Sequence, residues 1–392
     1  MVPSETPAHI PLTRPWTDDR ELEAVRAVLE SGHLAQGPRV AAFEASVREL
    51  TGAGHAIATS SCTTALHLAL AAGGVTCGDE VAVADFTFPA TANVVVQQGA
   101  TPVLVDIDPA TYAMCPADLE RRITPRTRAI MSVDPVGSPA DHERLRAIAR
   151  AHDLLYIDDA ACAIGGTSAG RPLGSGAVAD ITCLSFHARK VITTGEGGML
   201  LTDDDAVAER AMSLRTHGGV RTDGRFSFES CGFNYRLSDI QAAVGLVQME
   251  RLPEILTRRR RLALGLTERI AAGLSWPTGA GPDVVQLPGD PPWGPHLYQS
   301  YVVCLPDAVN RDAVIAELRA AGVESTIGTY ACHAEPAFER LVGTAPGDRP
   351  HAWRAFRQAI TLPLHPRMTD AELDRVASVF TASVGSPATV AR

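Results

Sequence analysis

From residue 55 to residue 201 short apolar runs alternate with helical stretches, and this restricts the fold more than any other feature of the chain. The apolar runs fall at residues 55–59, 81–84, 102–106, 129–133, 154–157, 181–186 and 199–201, with helical patterns at 65–70, after Phe88 and at 141–151. Strands joined by helical crossovers pair in parallel, and a parallel sheet is covered by helices on both faces. An α/β fold is therefore expected, with function gathered at the carboxyl ends of the strands.

Two helices precede this region. Thr17 reads as the cap of the first, with acidic residues in its first turn, and Ser31-Gly32 ends it. Gly37-Pro38 opens the second, which runs through Phe43, Val47 and Leu50. Beyond residues 226–234, read as irregular, Ser238 caps a long helix. Past about Leu252 the character changes to a basic helix, a Gly/Pro-rich stretch at 276–295, a strand at 301–305 and helices at 311–321 and 370–383. The expected division is a large domain over residues 1–250 and a small α+β domain over 251–392.

Several strand ends carry chemistry. Ser60-Ser61-Cys62-Thr63-Thr64 joins the first strand to an apolar helix. Such a start aims backbone N–H groups and a positive dipole end at one point, which suits a phosphate, although the hydroxyls also serve as plain N-caps. Asp158-Asp159 follows another strand and either caps the next turn or turns one carboxylate inward to a buried cation. His67, inside its helix, reads as packed. Lys190 stands on the polar loop between the runs at 181–186 and 199–201 and is the only lysine in the 392 residues. Any role that needs a side-chain amine falls to it.

The totals exclude other classes. A net charge of −10 argues against a nucleic-acid partner, which needs a surplus of basic side chains on one face. The one dense basic cluster, Arg258 to Arg261, reads as a solvated helix face or a subunit contact. The eight cysteines contain no C-x-x-C pair, so neither zinc nor a disulfide framework is indicated and reduced thiols in the cytoplasm are expected. With no apolar run of membrane length and no signal-peptide pattern, no membrane partner is expected.

A lysine on a short loop, an acid at a strand end, a phosphate-ready helix start and the aromatic Phe88 at another strand end are together what pyridoxal 5'-phosphate requires. Particular motifs add to this. Ser185-Phe186-His187-x-x-Lys190 with Thr194-Gly195-Glu196-Gly197-Gly198, then Gly232-Phe233-Asn234-Tyr235-Arg236, Gly37-Pro38 before Phe43-Glu44, and Thr361-Leu362-Pro363-Leu364-His365-Pro366 resemble the DegT/DnrJ/EryC1/StrS family of sugar aminotransferases. The resemblance spans about His9 to Phe380. It implies the type I, aspartate aminotransferase-like fold with a mostly parallel mixed sheet, and a homodimer with shared active sites.

By the same resemblance, Lys190 holds the cofactor covalently and shuttles the proton, and Asp159 pairs with the pyridine nitrogen. Phe88 stacks on the ring, and Ser61, Cys62, Thr63 and Ser185 form the phosphate cup. Asn234 reaches the phosphate from the neighbouring subunit, and Cys162 lies near the ring oxygen. His187 either contacts substrate or braces the loop. Three positions depart from the family: Cys62 stands where glycine is usual, Cys162 where glutamine or histidine is usual, and Asp134 where histidine is usual. Relatives that dehydrate sugars carry histidine in place of Lys190, so amino transfer is expected. The implied donor is L-glutamate or L-glutamine and the implied acceptor a nucleotide-linked keto sugar, with a keto-cyclitol or related ring ketone as the alternative. Arg215, Arg221, Arg225 and Arg236 are candidates to meet a diphosphate. A non-catalytic sensor is a further reading of the two unusual cysteines.

Overall fold

In a computed structural model that describes residues 9–222, 225–386 and 388–390, the alternation becomes a seven-stranded sheet. Its order is His55–Thr59, Gly198–Thr202, Ile181–Ser185, Leu155–Asp159, Thr127–Val133, Glu80–Ala84 and Thr101–Val105. Gly198–Thr202 runs antiparallel to both its neighbours, and the remaining strands share one direction.

Successive side chains on a strand face opposite ways. Ile57, Val83, Met131, Ile157 and Leu200 accordingly pack with the helices Cys62–Ala72 and Ala90–Gln97. Ala58, Leu184, Met199 and Leu201 face the other way, toward Val40, Phe43 and Val47 of the helix Pro38–Thr51.

The first helix, Asp19–Ser31, is capped by Asp18 and not by Thr17. Asp18 stands three residues before Glu21, so the two form a reciprocal capping box, a spacing that Thr17 lacks. The second helix takes its cap from far away: Asp239 Oδ1 accepts from the N–H groups of Gly37 and Val40, each at 2.9 Å.

Asp239–Gly273 is one helix of 35 residues, capped by Ser238 as expected. Its first half buries Ala242, Leu252 and Ile255 with the large sheet's helices. Its second half buries Leu262, Leu266 and Ile270 against the C-terminal sheet, so residue 250 falls inside the helix. That second sheet is antiparallel, with Ala359–Leu362 between Tyr301–Cys304 and Thr326–Ile327, and is covered by Arg311–Ala320 and Asp370–Val384. The arginine cluster is not uniformly solvated. Four consecutive helical residues point to four sides, and Arg259 turns inward, where Nη1 donates to the carbonyls of Tyr298 and Leu364 at 3.1 Å each. The stretch read as irregular begins with a strand, Arg225–Phe228, paired antiparallel with Gly219–Thr222. No helix among the described residues is long and apolar enough to cross a membrane.

Candidate active site

Asp159 closes a central strand, in register with Cys183 on the next, and is 5% exposed. Its Oδ2 accepts from the Thr91 hydroxyl at 2.8 Å, and its Oδ1 accepts from the Ala161 N–H at 3.2 Å and from the Cys62 thiol at 3.9 Å. Strand alternation sends Asp158 to the opposite face. There it accepts from Ser132 Oγ at 3.2 Å, beside His142. Asp134 accepts from His142 Nε2 at 3.0 Å and from the Ala140 N–H at 2.7 Å, so it is occupied behind the sheet.

The Lys190 loop is held by its own backbone. Phe186 N–H donates to Gly197 O, Thr194 N–H donates back to Phe186 O, and Ala188 N–H donates to Gly195 O. From the C-terminal part of the chain, Gln299 donates to Arg189 O at 2.7 Å. These bonds place Lys190 Nζ 3.2 Å from Cys162 Sγ. His187 turns to the loop itself: Nδ1 accepts from the Arg189 N–H at 3.2 Å, and Nε2 lies 3.8 Å from Glu196 Oε1. Both contacts are to residues of the same loop.

At the helix start Ser61 is the N-cap, its hydroxyl accepting from Thr64 N–H while Thr64 Oγ1 accepts from Ser61 N–H. The N–H groups of Cys62 and Thr63 belong to the first turn and have no helical carbonyl to reach. The strand Gly198–Thr202 comes so close that a Cβ on Gly198 would lie 2.3 Å from the Ser61 carbonyl carbon and 2.5 Å from Cys62 N. Ser185, paired with Gly198, borders the same place. Phe88 is 65% exposed and meets Tyr330 edge-on, with ring centres 6.2 Å apart. Asn234 is also exposed, beyond a bridge to Thr216. His67 is packed, with Nδ1 2.9 Å from the Tyr235 hydroxyl.

Charge in the site is governed by burial and by close neighbours. Burial pushes the Asp159 carboxyl above its usual range, opposed by the Thr91 hydrogen bond and by Lys190. Burial alone would lower Lys190, but Cys162, Asp159 and Cys62 outweigh it and raise the amine. Burial also pushes the Cys62 thiol well up, which keeps it an S–H donor to Asp159.

A profile of the DegT/DnrJ/EryC1/StrS aminotransferase family matches residues 15–381. The chain belongs to this family. It is 40% identical over 370 residues to GDP-perosamine synthase of Caulobacter vibrioides, covering 94% of this chain and 96% of that one. Spr1654 of Streptococcus pneumoniae, solved in its PMP form, superposes with a TM-score of 0.88 at 28% identity, covering 96% of this chain and 99% of that one. DesI, solved in the presence of its TDP-sugar product, gives a TM-score of 0.86 at 32% identity, covering 97% and 94%. The chain is thus a pyridoxal 5'-phosphate-dependent sugar aminotransferase with the type I fold.

The site of this aminotransferase fits that cofactor. A half-buried amine, a buried carboxylate on the same side of the sheet, and two first-turn N–H groups beside a glycine that leaves them room are the donors and acceptors the group needs. Sequence reasoning missed Thr91, whose hydroxyl fixes Asp159; its place at a helix start after a strand was the available signal. Of the arginine candidates, Arg215 is committed elsewhere, to Glu44 at 2.7 Å and Ala58 O at 2.9 Å. Arg236 lines a surface cleft with Gln36 and Thr216, Arg225 is exposed, and the side chain of Arg221 lies outside the described residues.

Proposed function

We propose that Lys190 and Asp159 carry the amino transfer, with the donor L-glutamate or L-glutamine and the acceptor a nucleotide-linked keto sugar. The observation that carries this is the chain's single lysine, half-buried, with its amine 3.2 Å from Cys162 and its pKa raised by Cys162 and by the nearby Asp159 carboxylate, in a sugar aminotransferase. The acceptor class is supported by two relatives whose names carry GDP and TDP.

Pyridoxal 5'-phosphate supplies an electron-withdrawing ring that stores the electron pair left when the donor loses its α-proton, and a carbon that carries nitrogen between the two half-reactions. Lys190 Nζ would hold the cofactor and, as the free amine, would be the base that moves the donor's proton. Asp159, steadied by Thr91 and Ala161, keeps the ring nitrogen protonated. The N–H groups of Cys62 and Thr63, with Ser61 and Ser185 beside them, take the phosphate. Phe88 would cover the cofactor, and Cys162, in contact with Lys190, would border it. His187 keeps the loop in shape through Arg189 and Glu196.

The same reading makes the protein a cytoplasmic homodimer, with Asn234 completing the neighbouring subunit's phosphate site. The exposure of Asn234 and Phe88 on the isolated chain supports it. The deciding experiment is a single-turnover screen of the amine-loaded protein against nucleotide-linked keto sugars and keto-cyclitols. Amination of the nucleotide-linked class is expected. Turnover of cyclitol ketones alone, or a colourless protein indifferent to added cofactor, overturns the reading.

A further inference from the structure

The residues just before the strand Tyr301–Cys304 cross from the C-terminal sheet to the Lys190 loop, and they are clamped from both sides. Leu297 N–H donates to Gly137 O at 2.8 Å and Ser300 N–H to Val136 O at 3.2 Å, while Tyr298 O accepts from the buried Arg259. The backbone at this crossing is uncommon. Val136 has φ 54° and Tyr298 φ 53°, and neither is a glycine; in Val136 a branched side chain sits in the left-handed region. Such backbone persists only where its surroundings over-determine it, and it gathers at functional sites. A Cβ on Gly137, itself at φ 92°, would lie 2.9 Å from Gln299 N and 3.1 Å from Cys162 O, so glycine lets the crossing close onto the site.

What the crossing delivers is one side-chain amide. Gln299 is 9% exposed; its Oε1 accepts from Ser300 Oγ at 3.1 Å, and its Nε2 donates to Arg189 O at 2.7 Å. Among the described residues, no other hydrogen bond reaches the backbone of residues 188–190 from outside the loop. The peptide joining Arg189 to Lys190 is thereby held at both ends, because Lys190 N–H donates to His187 O at 2.9 Å. A peptide unit is planar, so fixing its two polar atoms fixes the direction in which the Lys190 side chain leaves the backbone.

We infer that Gln299 is a positioning residue for the amino transfer, aiming the Lys190 amine through the Arg189 carbonyl. The inference rests on Lys190 as the base of that transfer. A base works only within hydrogen-bond reach of its proton, and a misplacement of about 1 Å costs about 10²-fold in rate.

Gln299→Leu keeps the bulk and removes the donor. In the cofactor-loaded protein its kcat is expected to fall by about 10- to 100-fold, with KM for the amino donor unchanged. In the cofactor-free protein the pH midpoint for acylation of Lys190, followed by peptide mass spectrometry, is expected to fall as the amine leaves the sulfur that raises it. Lost packing alone would lower stability and leave that midpoint in place. Gln299→Glu has the same shape, repels the Arg189 carbonyl when ionised and donates to it when protonated, so its turnover relative to wild type should recover as pH falls; this variant decides the matter if the leucine variant does not fold. Wild-type kcat in folded Gln299→Leu, a reduced kcat with an unmoved acylation midpoint, or a Gln299→Glu ratio constant across pH overturns the inference. Lys190→Ala, run alongside, keeps the two readings apart: wild-type turnover there removes Lys190 as the base, while the acylation midpoints still report whether Gln299 aims the amine.

Discussion

The amine of Lys190 lies 3.2 Å from the sulfur of Cys162, so the chain's single lysine is in contact with a thiol. Burial works against the charged amine and Cys162 works for it. In Cys162→Ala the Lys190 pKa is therefore expected to fall. The rate of acylation of the cofactor-free protein, followed against pH, reports it; a midpoint equal to that of wild type removes Cys162 from any tuning role.

Lys190→Ala should cost at least about 10²–10⁴ in turnover, the usual worth of a positioned acid–base group. No other lysine exists to take over. An amine-directed reagent should label the cofactor-free wild type at Lys190 and the N-terminus alone. Mass spectrometry of the peptides checks this, and a variant with wild-type turnover would sink the assignment.

Asp159→Asn should retain the fold but weaken cofactor binding by about 10- to 150-fold, since a hydrogen bond to a charged group is worth about 1.5–3 kcal/mol. Thr91→Val should shift cofactor affinity in the same direction by less, because Ala161 still holds Oδ1. Fluorescence titration with the cofactor measures both. Equal affinity in all three proteins would place the ring nitrogen elsewhere.

At position 198 a methyl group meets backbone, which cannot step aside. Gly198→Ala is expected to cost about 1–3 kcal/mol in stability and to spread the first turn at Cys62. Urea unfolding with and without cofactor should show a smaller cofactor-induced gain in the variant than in wild type.

His142 gives the protein a pH dependence unconnected with turnover. Burial alone would lower its pKa, but Asp134 and Asp158 prevail and raise it from 6.5 to about 9. A raised folded-state pKa stabilises fully below 6.5, and that stabilisation is lost as pH climbs through 9. Wild type should lose on the order of 3 kcal/mol across this window relative to His142→Asn. Unfolding midpoints taken at intervals across the window test it, and parallel curves for the two proteins would refute it.

What could be read from sequence was local. Lys190, Asp159 and the helix start at Cys62 each stand where a strand ends, and a strand end is a short-range pattern. Thr91 reaches Asp159 across 68 positions, and Asp239 caps a helix 202 positions before it, pairings that only the packed sheet creates. The inward turn of Arg259 was hidden for a similar reason: in a run of four arginines, composition marks none as the buried one. Thr17 and Asp18 both offer a capping oxygen, and only the spacing of Asp18 to Glu21 allows the reciprocal pair.

The helix Asp239–Gly273 extends about 50 Å at 1.5 Å per residue and is gripped by both hydrophobic clusters. It is in effect a common axle, so the two clusters cannot rotate past each other without bending it. Pro253 lies inside the first grip, between Leu252 and Ile255, and lacks the N–H that would close a helical turn there. Arg251, two residues before it, is tied to Glu21 of the first helix at 3.0 Å. The long helix is thereby fastened to the helix Asp19–Ser31 as well as to the two clusters.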